Sequence, residues 1–328
     1  MEKLKPGDKI GIFSPSSPVT ATAPKRFARA KAFLESKGFI IVEGSLTGKS
    51  DHYRSGTIKE RVGELNALIK NPEVKCIMAT IGGMNSNSML PYIDYDALKK
   101  NPKPIIGYSD VTAILLGVYA KTGITTYYGP AFVPSFGEFE PFVNDTFEYF
   151  QDILITPNYP HELKKPKFWS DERLNWETFE KPKEQRPSHW QTVIPGLAAG
   201  RLMGGNLNTI GGIWGSPYMP KFLKGDILFI EDCLKDAATL ERAFSFLKIN
   251  GVFDLVAGII LGKHELFNDL GTGRRPQDIL LEVLSDQDLP FLADFDCSHT
   301  HPMLTLPIGS FIELDATNQK VTVLKESC

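Results

Sequence analysis

Apolar and polar residues alternate in blocks along the first 130 residues, and the blocks switch between strand-like and helix-like spacing. Short apolar runs predict strands at Lys9–Phe13, Phe39–Val42, Val74–Thr80 and Pro104–Gly107. Apolar residues at helical spacing predict helices at Ala23–Lys37, Thr57–Lys70 and Asp110–Lys121. Strands that alternate with helices are typical of a parallel sheet with helices on both faces. We therefore expect an α/β, doubly wound N-terminal domain over residues 1–160.

The character of the chain changes twice after this region. Residues 161–195 are charged and punctuated by proline, and they hold three of the four tryptophans, which predicts a connection between domains or a lid. Residues 196–328 are rich in glycine, with strand-like runs at Asp226–Ile230, Leu255–Leu261, Phe311–Leu314 and Lys320–Leu324. One helical pattern, Asp236–Lys248, interrupts them. We expect a smaller, β-rich C-terminal domain there.

Charge and hydropathy exclude several classes of function. The 328-residue chain has 36 basic and 39 acidic residues, so no broad basic field favours nucleic acid or anionic lipid. The N-terminus lacks the apolar core of a signal peptide, and the apolar run Val111–Ala120 is far shorter than the roughly 20 residues of a spanning helix. The scattered cysteines Cys76, Cys233, Cys297 and Cys328 indicate free thiols in a reducing cytoplasm. We expect a cytoplasmic protein that uses no cofactor.

Ser109 follows the fourth predicted strand, where the chain turns into a helix. Active sites of parallel sheets form beyond the carboxyl ends of strands, so this serine could be a nucleophile. The amides of Asp110, at the helix start, and of Gly83, after the third strand, could then stabilise an oxyanion. Alternatively, Ser109 is only a helix N-cap. Val111 replaces the second glycine of a G-x-S-x-G elbow, which argues against an ordinary α/β-hydrolase.

A serine nucleophile needs a base and a group that orients the base. His299 and His301 lie in a small-residue loop just after a strand-like run, which favours a functional role for this loop. His264 follows the strand-like run Ala257–Gly262, in Gly-Lys-His-Glu, whereas a solvated surface role is expected for the histidines of polar, loop-like stretches, which are His52, His161 and His189.

Two carboxylates, Glu231 and Asp232, end the run Asp226–Ile230. A carboxylate that closes an apolar strand needs a partner, either in a site or in a salt bridge to a residue such as Arg242. The residues alone do not choose between Glu231 and Asp232, or between His299 and His301.

A metal site is an alternative for the histidine loop. Asp294, Asp296, His299 and His301 place an H-x-H beside two acids, which could suit zinc or another transition metal. Neither an H-E-x-x-H motif nor a paired cysteine spacing accompanies them, and an H-x-H alone has low specificity. We therefore expect no metal.

Five short motifs occur in a fixed order between residues 9 and 310. They are Ile81-Gly82-Gly83-Met84-Asn85-Ser86-Asn87, Gly107-Tyr108-Ser109-Asp110, Gly204-Gly205-Asn206-Leu207, Ile230-Glu231-Asp232 and Ser298-His299-Thr300-His301-Pro302, which runs on into Thr305-Leu306-Pro307-Ile308-Gly309. Each motif alone has low specificity for a family, but five motifs in the same order are highly specific. Together they resemble the LD-carboxypeptidase family of serine peptidases, and more closely its microcin-C self-immunity branch.

The resemblance implies a Ser–Glu–His triad, with Ser109, Glu231 and His299 at the matching positions. It also implies an amidotransferase-like (flavodoxin-like) domain carrying the serine, a smaller β-rich domain carrying the other two residues, a site in the cleft between them, and a homodimer. The chain departs from the family in two places. Ser298 stands where many members have glycine, and Gly-Gly-Met-Asn stands where carboxypeptidase members tend to have Gly-Gly-Tyr-Gly. The second departure, like the tryptophan-bearing connection, favours the immunity branch.

The resemblance leaves two substrates open. One is a murein-derived peptide, cut between a diamino acid and a terminal D-alanine. The other is a peptidyl or aminoacyl nucleotide of the microcin-C type, cut where the aminoacyl part joins the modified adenylate. We expect the nucleotide conjugate, with Glu265 and Asn85 as substrate contacts and with Trp169 and Trp176 stacking on the nucleobase.

These assignments have alternatives. Glu265 could be a surface carboxylate, and the two tryptophans could pack the connection onto the body. Basic residues of the connection could meet a phosphate or form a solvated face; they are Lys181, Lys183 and Arg186. A non-catalytic immunity protein could merely sequester its ligand, although all three triad positions hold competent residue types. Cys297 is a rival nucleophile, but packing at the strand end is the better interpretation.

Overall fold

Two sheets with helices packed around them form the protein, and the computed structural model describes residues 2–325. The strands are β1 (Lys9–Phe13), β2 (Ile40–Glu43), β3 (Val74–Ala79), β4 (Ile105–Gly107), β5 (Thr126–Tyr128), β6 (His161–Glu162), β7 (Phe168–Trp169), β8 (Arg186–Pro187), β9 (Gln191–Ile194), β10 (Leu197–Asn206), β11 (Ile227–Glu231), β12 (Gly258–Gly262), β13 (Phe291–Phe295), β14 (Leu306–Ile308), β15 (Phe311–Asp315) and β16 (Lys320–Lys325). The helices are α1 (Val19–Thr22), α2 (Pro24–Ser36), α3 (Ile58–Lys70), α4 (Tyr95–Lys100), α5 (Thr112–Thr122), α6 (Phe132–Phe136), α7 (Phe142–Leu154), α8 (Leu207–Gly211), α9 (Ala237–Ile249), α10 (Val252–Leu255) and α11 (Pro276–Leu284). Short 3-10 segments lie at Ser86–Tyr92 and Ser109–Val111.

The first sheet is doubly wound. Its strand order is β14-β5-β4-β3-β1-β2, with β1 to β5 parallel and β14 antiparallel to β5. Its central strands are apolar runs because both faces are covered, and all three residues of β4 are buried. The carboxyl ends of β3 and β4 are neighbours, so the turns after them meet at one edge. The predicted flavodoxin-like α/β domain is confirmed.

The second sheet has eight strands in the order β6-β16-β15-β10-β11-β12-β13-β9. β10 to β13 run parallel, and the outer strands pair antiparallel. α9 and α11 pack over the parallel part through an apolar cluster that includes Leu240, Phe244 and Leu280. The expected β-rich C-terminal sheet is confirmed, but its helix α11 was not predicted, although Pro276 at its start is a favoured first helical residue.

The two sheets exchange segments across the predicted limits of the domains. β14, from the last part of the chain, pairs with β5 in the first sheet. β6 and β9, from the predicted connection, pair with β16 and β13 in the second sheet. Between them, β7 and β8 form a separate two-stranded ribbon. The limits at residues 160 and 195 stay predictions.

Helix α5 packs against the ends of both sheets, which explains its apolar sequence. Every residue from Thr112 to Val118 is buried, and a helix without a solvent face is apolar all round. The Thr112 hydroxyl accepts a hydrogen bond from the N–H of Asn206 at the end of β10 (3.0 Å). α5 therefore ties the carboxyl end of β4 to that of β10.

Within residues 2–325, no helix is both long enough and apolar enough to cross a membrane.

Candidate active site

Ser109 lies on a strained turn between β4 and α5. Its φ of +62° is in the left-handed region, which costs a serine about 1–2 kcal/mol. The turn after β3 approaches so closely that a Cβ on Gly82 would lie 3.0 Å from the amide nitrogen of Asp110. No side chain caps the 3-10 turn or α5, so the hydroxyl of Ser109 is not a helix cap. Strain of this kind at a non-glycine residue is typical of functional sites.

The structure brings Ser109, His299 and Glu231 together from distant parts of the sequence. Nε2 of His299 lies 2.9 Å from Oγ of Ser109, and Nδ1 of His299 lies 2.8 Å from Oε2 of Glu231. Oε1 of Glu231 accepts hydrogen bonds from the Tyr128 hydroxyl (2.5 Å) and from Nδ2 of Asn206 (2.9 Å). Glu231 ends β11 and Tyr128 ends β5, so strand ends of both sheets meet at this point.

The charges of Glu231 and His299 stabilise each other. Burial alone would raise the pKa of Glu231 and lower that of His299, because each charged form loses water. Their mutual attraction and hydrogen bond outweigh burial, so the pKa of Glu231 is below its ordinary value and the pKa of His299 is well above it. The Glu231 carboxylate therefore orients the imidazole of His299 and stabilises its protonated form.

Asp232, the alternative to Glu231, accepts its hydrogen bonds from other groups than His299. Its carboxylate accepts hydrogen bonds from the N–H of Cys233 (2.9 Å) and of Asn208 (3.2 Å). Burial and the adjacent negative charge of Glu231 raise the pKa of Asp232 to about 6. The geometry therefore separates two carboxylates that the sequence could not distinguish.

The turns that carry Gly83 and Asp110 are fixed to each other by the Asp110 side chain. Its buried carboxylate accepts hydrogen bonds from the N–H groups of Asn85 (3.1 Å) and Ser86 (2.9 Å). Gly83 lines the same cavity as Ser109. Its φ is +152°, and a Cβ there would lie 2.3 Å from Oγ of Ser16, so only glycine fits this turn.

A cavity of about 310 Å³ opens at Ser109 and His299. Glu265 and Trp176, two of the predicted substrate contacts, line it. Glu265 is largely buried and pairs with Nε of Arg173 at 3.3 Å. Trp176 packs with its ring 4.4 Å from the guanidinium of Arg26, so it both anchors the connection and faces the cavity.

The other two predicted substrate contacts lie outside this cavity. The side chain of Asn85 accepts hydrogen bonds from Nη1 of Arg61 (2.8 Å) and Oγ of Ser16 (3.0 Å), so it supports the turn after β3. Trp169 lines a separate cavity of about 150 Å³ and lies under the guanidinium of Arg186, 4.6 Å away. The roles of Asn85 and Trp169 as substrate contacts stay predictions.

A second buried cluster surrounds Glu138. Its carboxylate lies 3.0 Å from both Nη2 of Arg26 and Nζ of Lys183, and 3.3 Å from Nε2 of His301. Burial lowers the pKa of His301 well below its ordinary value, and the charges of Lys183 and Arg26 lower it further. His301 is therefore neutral, and its contact with Glu138 is not an ion pair.

The acids of the possible metal site also have separate partners. Asp296 pairs with Nζ of Lys263 at 2.7 Å, and Asp294 lies 3.5 Å from Nε2 of His189. In the part of the chain that the structure describes, no three His, Cys, Asp or Glu side chains are grouped as a metal would require.

Neither cysteine near the triad is suited to nucleophilic attack. Cys297 is fully buried, and burial together with the charge of Glu231 raises its thiol pKa well above the ordinary value. Cys233 is half-buried beside His299, and burial raises its pKa although the hydrogen bond with His299 opposes this. The thiolate is therefore disfavoured at both positions. Cys328 lies outside the described residues.

Four residues of the site were not assigned by sequence analysis: Tyr128, Asn206, Arg173 and Glu138. Tyr128 and Asn206 each end a strand, so the argument from strand ends that selected Ser109 could also have indicated them. Arg173 and Glu138 lie in irregular segments, where no periodic pattern indicates what they contact.

Comparison with known proteins matches both sheets of the chain to one family. The model of the LD-carboxypeptidase N-terminal domain matches residues 10–129, and that of the LD-carboxypeptidase C-terminal domain matches residues 199–314. The Microcin C7 self-immunity protein MccF of Escherichia coli is 54% identical, over 98% of this chain and 95% of its own.

Solved structures agree with these matches. MccF in complex with aspartyl sulfamoyl adenosine has a TM-score of 0.97 and 53% identity, covering 99% of this chain and 98% of that one. An MccF-like protein from Bacillus anthracis has a TM-score of 0.90 and 32% identity, with the same coverage. The predicted resemblance is confirmed, and the chain belongs to the LD-carboxypeptidase family.

Proposed function

We propose that the protein is a cytoplasmic serine hydrolase that cleaves aminoacyl or peptidyl nucleotide conjugates of the microcin-C type and so confers self-immunity. The bond cut is the amide-type bond between the aminoacyl part and the modified nucleotide. The observation that carries this proposal is the hydrogen-bonded chain from Ser109 through His299 to Glu231, at the edge of a cavity large enough for a small ligand.

The catalytic residues act by acyl transfer. His299 takes the proton of Ser109 as its Oγ attacks the carbonyl carbon, and Glu231 stabilises the imidazolium that forms. The amides of Gly83 and Asp110 donate to the oxyanion. His299 then gives the proton to the leaving nitrogen, and water, activated by the same imidazole, releases the acid and restores Ser109.

The cavity suits a conjugate with an aminoacyl end and an aromatic end. The buried carboxylate of Glu265 can accept hydrogen bonds from an amino group, and its partner Arg173 can turn to an acidic linker. Trp176 offers a flat face for a nucleobase. MccF, which shares the fold at 53% identity, has been solved with glutamyl sulfamoyl guanosine and with aspartyl sulfamoyl adenosine.

A second candidate is removal of the terminal D-alanine from a murein tetrapeptide. It is favoured by the matching family models, which describe LD-carboxypeptidase domains at both ends of the chain. Both reactions would use the same triad, so only the substrate separates them.

The test offers each substrate to the purified protein and to a Ser109→Ala variant. We expect mass spectrometry to find the free amino acid and the sulfamoyl nucleoside from aspartyl sulfamoyl adenosine, with little change in the muropeptide. Ser109→Ala should lose roughly 10⁶-fold in rate, since triad members act as a unit. Cleavage of the muropeptide alone would favour the second candidate. Protection of cells by Ser109→Ala at the wild-type level would instead indicate sequestration.

A homodimer is proposed on the family resemblance alone. Light scattering at micromolar concentration should give twice the mass of the chain, and the mass of a single chain would contradict the proposal.

A further inference from the structure

The hydroxyl of Tyr128 lies between the nucleophile turn and the triad carboxylate. It is 3.0 Å from the backbone nitrogen of Ser109 and 2.5 Å from Oε1 of Glu231. Tyr128 is the last residue of β5 in the first sheet, whereas Glu231 ends β11 in the second sheet. The phenol is completely buried, so water does not compete for these two bonds.

The direction of both hydrogen bonds is fixed by chemistry. A backbone N–H can only donate and an ionised carboxylate can only accept, so the hydroxyl accepts from Ser109 and donates to Glu231. Burial and the negative charge of Glu231 raise the pKa of Tyr128 well above its ordinary value, so the phenol keeps its proton. The two bonds therefore form one polarised chain from the carboxylate to the Ser109 amide.

The bond to Ser109 acts where the backbone is strained. Ser109 has a φ of +62°, and the bond from its N–H is one of the contacts that oppose relaxation of the turn. It also occupies the N–H of the nucleophile itself, so that this group is not an oxyanion donor.

We propose that Tyr128 is a positioning residue, which couples the ionised carboxylate of Glu231 to the backbone of the nucleophile turn. The proposal rests on the proposed function only in assuming that Ser109 and Glu231 belong to the reacting triad. The turn is then held in its working geometry only when Glu231 of the second sheet is in place and charged. Tyr128 does not touch the reacting atoms; it acts through Ser109 and Glu231.

The test is Tyr128→Phe, which removes one oxygen and leaves the ring in place. We expect kcat to fall roughly 10- to 100-fold, as for a lost hydrogen bond to a charged group, with KM changed less than about twofold. The acid limb of the kcat/KM profile should also move to higher pH. Without the hydroxyl, more of the charge of Glu231 acts on the imidazolium of His299. The other ionisable groups near His299 are unchanged; they are Tyr108, Asp232, Cys233, His264, Glu265 and His301.

The matched control is Tyr95→Phe. Its hydroxyl donates to the carbonyl oxygen of Leu90 (2.8 Å), and Tyr95 does not line the cavity. Tyr128→Phe loses two hydrogen bonds of a buried hydroxyl, and Tyr95→Phe loses one that is partly buried. A merely structural role therefore predicts a larger fall in melting temperature for Tyr128→Phe, with an unchanged kcat in both variants. That result would overturn the inference.

A second measurement does not depend on the folding of Tyr128→Phe. Hydrogen exchange of the peptide around Ser109 should be at least about threefold faster in Glu231→Gln than in the wild type, because the turn loses its charged anchor. Glu162→Gln, which changes an exposed glutamate in a surface pair with Lys320, should not change it. Equal exchange in all three proteins would overturn the coupling, whereas an active Ser109→Ala would overturn the proposed function itself.

Discussion

His299 and His301 are two residues apart, and each lies against a buried glutamate, yet their acid–base properties are opposite. The pKa of His299 is well above the ordinary value, despite burial, because Glu231 attracts the imidazolium. The pKa of His301 is well below it, because burial and two nearby cations oppose a positive charge. Two histidines of one loop thus have pKa values that are shifted in opposite directions.

The difference comes from what else contacts each carboxylate. Glu138 is paired with Arg26 and Lys183, so its charge is already compensated. The other donors on Glu231 are the neutral groups of Tyr128 and Asn206, so its charge remains to act on the imidazole. A buried glutamate raises the pKa of a histidine only when no stronger cation has neutralised it first.

The largest effect should come from exchanging each glutamate for glutamine. Glu231→Gln should lower kcat by roughly 10⁴-fold, because the amide neither stabilises the imidazolium nor fixes its tautomer. Glu138→Gln should instead lower the free energy of unfolding by roughly 3–5 kcal/mol, because it leaves Arg26 and Lys183 without a counter-charge. Steady-state kinetics and urea unfolding measure the two effects.

The two variants serve as controls for each other. We expect kcat per folded molecule to fall less than about tenfold in Glu138→Gln, and Glu231→Gln to lose less stability than Glu138→Gln. If Glu138→Gln were the more inactive of the two, the division between a reactive and a structural glutamate would be wrong.

A smaller effect concerns the pH dependence of activity. His299 must be neutral to accept the proton of Ser109, so kcat/KM should fall as the pH drops through its raised pKa, above the ordinary value of about 6.5. In Glu231→Gln, burial should dominate and the pKa of His299 should move down. Nuclear magnetic resonance of the ring can follow this in the nearly inactive variant, and an unmoved titration would contradict the role of the charge.

The smallest effect concerns stability at acid pH. Because the pKa of His301 is lower in the folded protein than in the unfolded chain, the unfolded state binds more protons below about pH 6.5, and stability falls as the pH decreases. His301→Gln should remove up to about 1.4 kcal/mol of this loss per pH unit. Urea unfolding between pH 7 and pH 5 measures the slope.

An exposed histidine provides the control for this slope. His52→Gln, at the surface and far from both glutamates in the sequence, should leave the slope as it is in the wild type. An equal change in His52→Gln and His301→Gln would show that the buried position of His301 is not the cause.

The central strands β1, β3 and β4 of the first sheet could be predicted because burial on both faces gives them continuous apolar runs. The three-residue strands β5 and β14 were not predicted. β1 matches its predicted limits, Lys9–Phe13, and β4 differs by one residue. Helix α7 was not predicted, although Phe142, Tyr149 and Phe150 are buried along it, because its polar residues mask the spacing. The apolar run of a buried strand is therefore easier to recognise in the sequence than a helix such as α7, whose polar residues interrupt the apolar spacing.

Ser109 could be predicted because active sites of parallel sheets form beyond the carboxyl ends of strands. Its partners Glu231 and His299 were predicted only from the family motifs. No spacing shows that Glu231, rather than Asp232, turns toward His299, because that depends on the end of β11. The orientation of the Asn85 side chain could not be predicted from the sequence either, because it depends on hydrogen bonds to Arg61 and Ser16 in other parts of the chain. Side-chain orientation at strand ends is a tertiary property.

The pairing of β14 with β5 has a consequence for how such a protein can be rearranged. Leu306–Ile308 complete the first sheet although they lie in the sequence between β13 and β15 of the second sheet, and Tyr128 pairs with Leu306 in that ladder. A chimera that joined the first half of this chain to the second half of a relative would therefore also replace an edge strand beside the nucleophile. Recombination between family members should succeed only where that edge strand and its partner are inherited together.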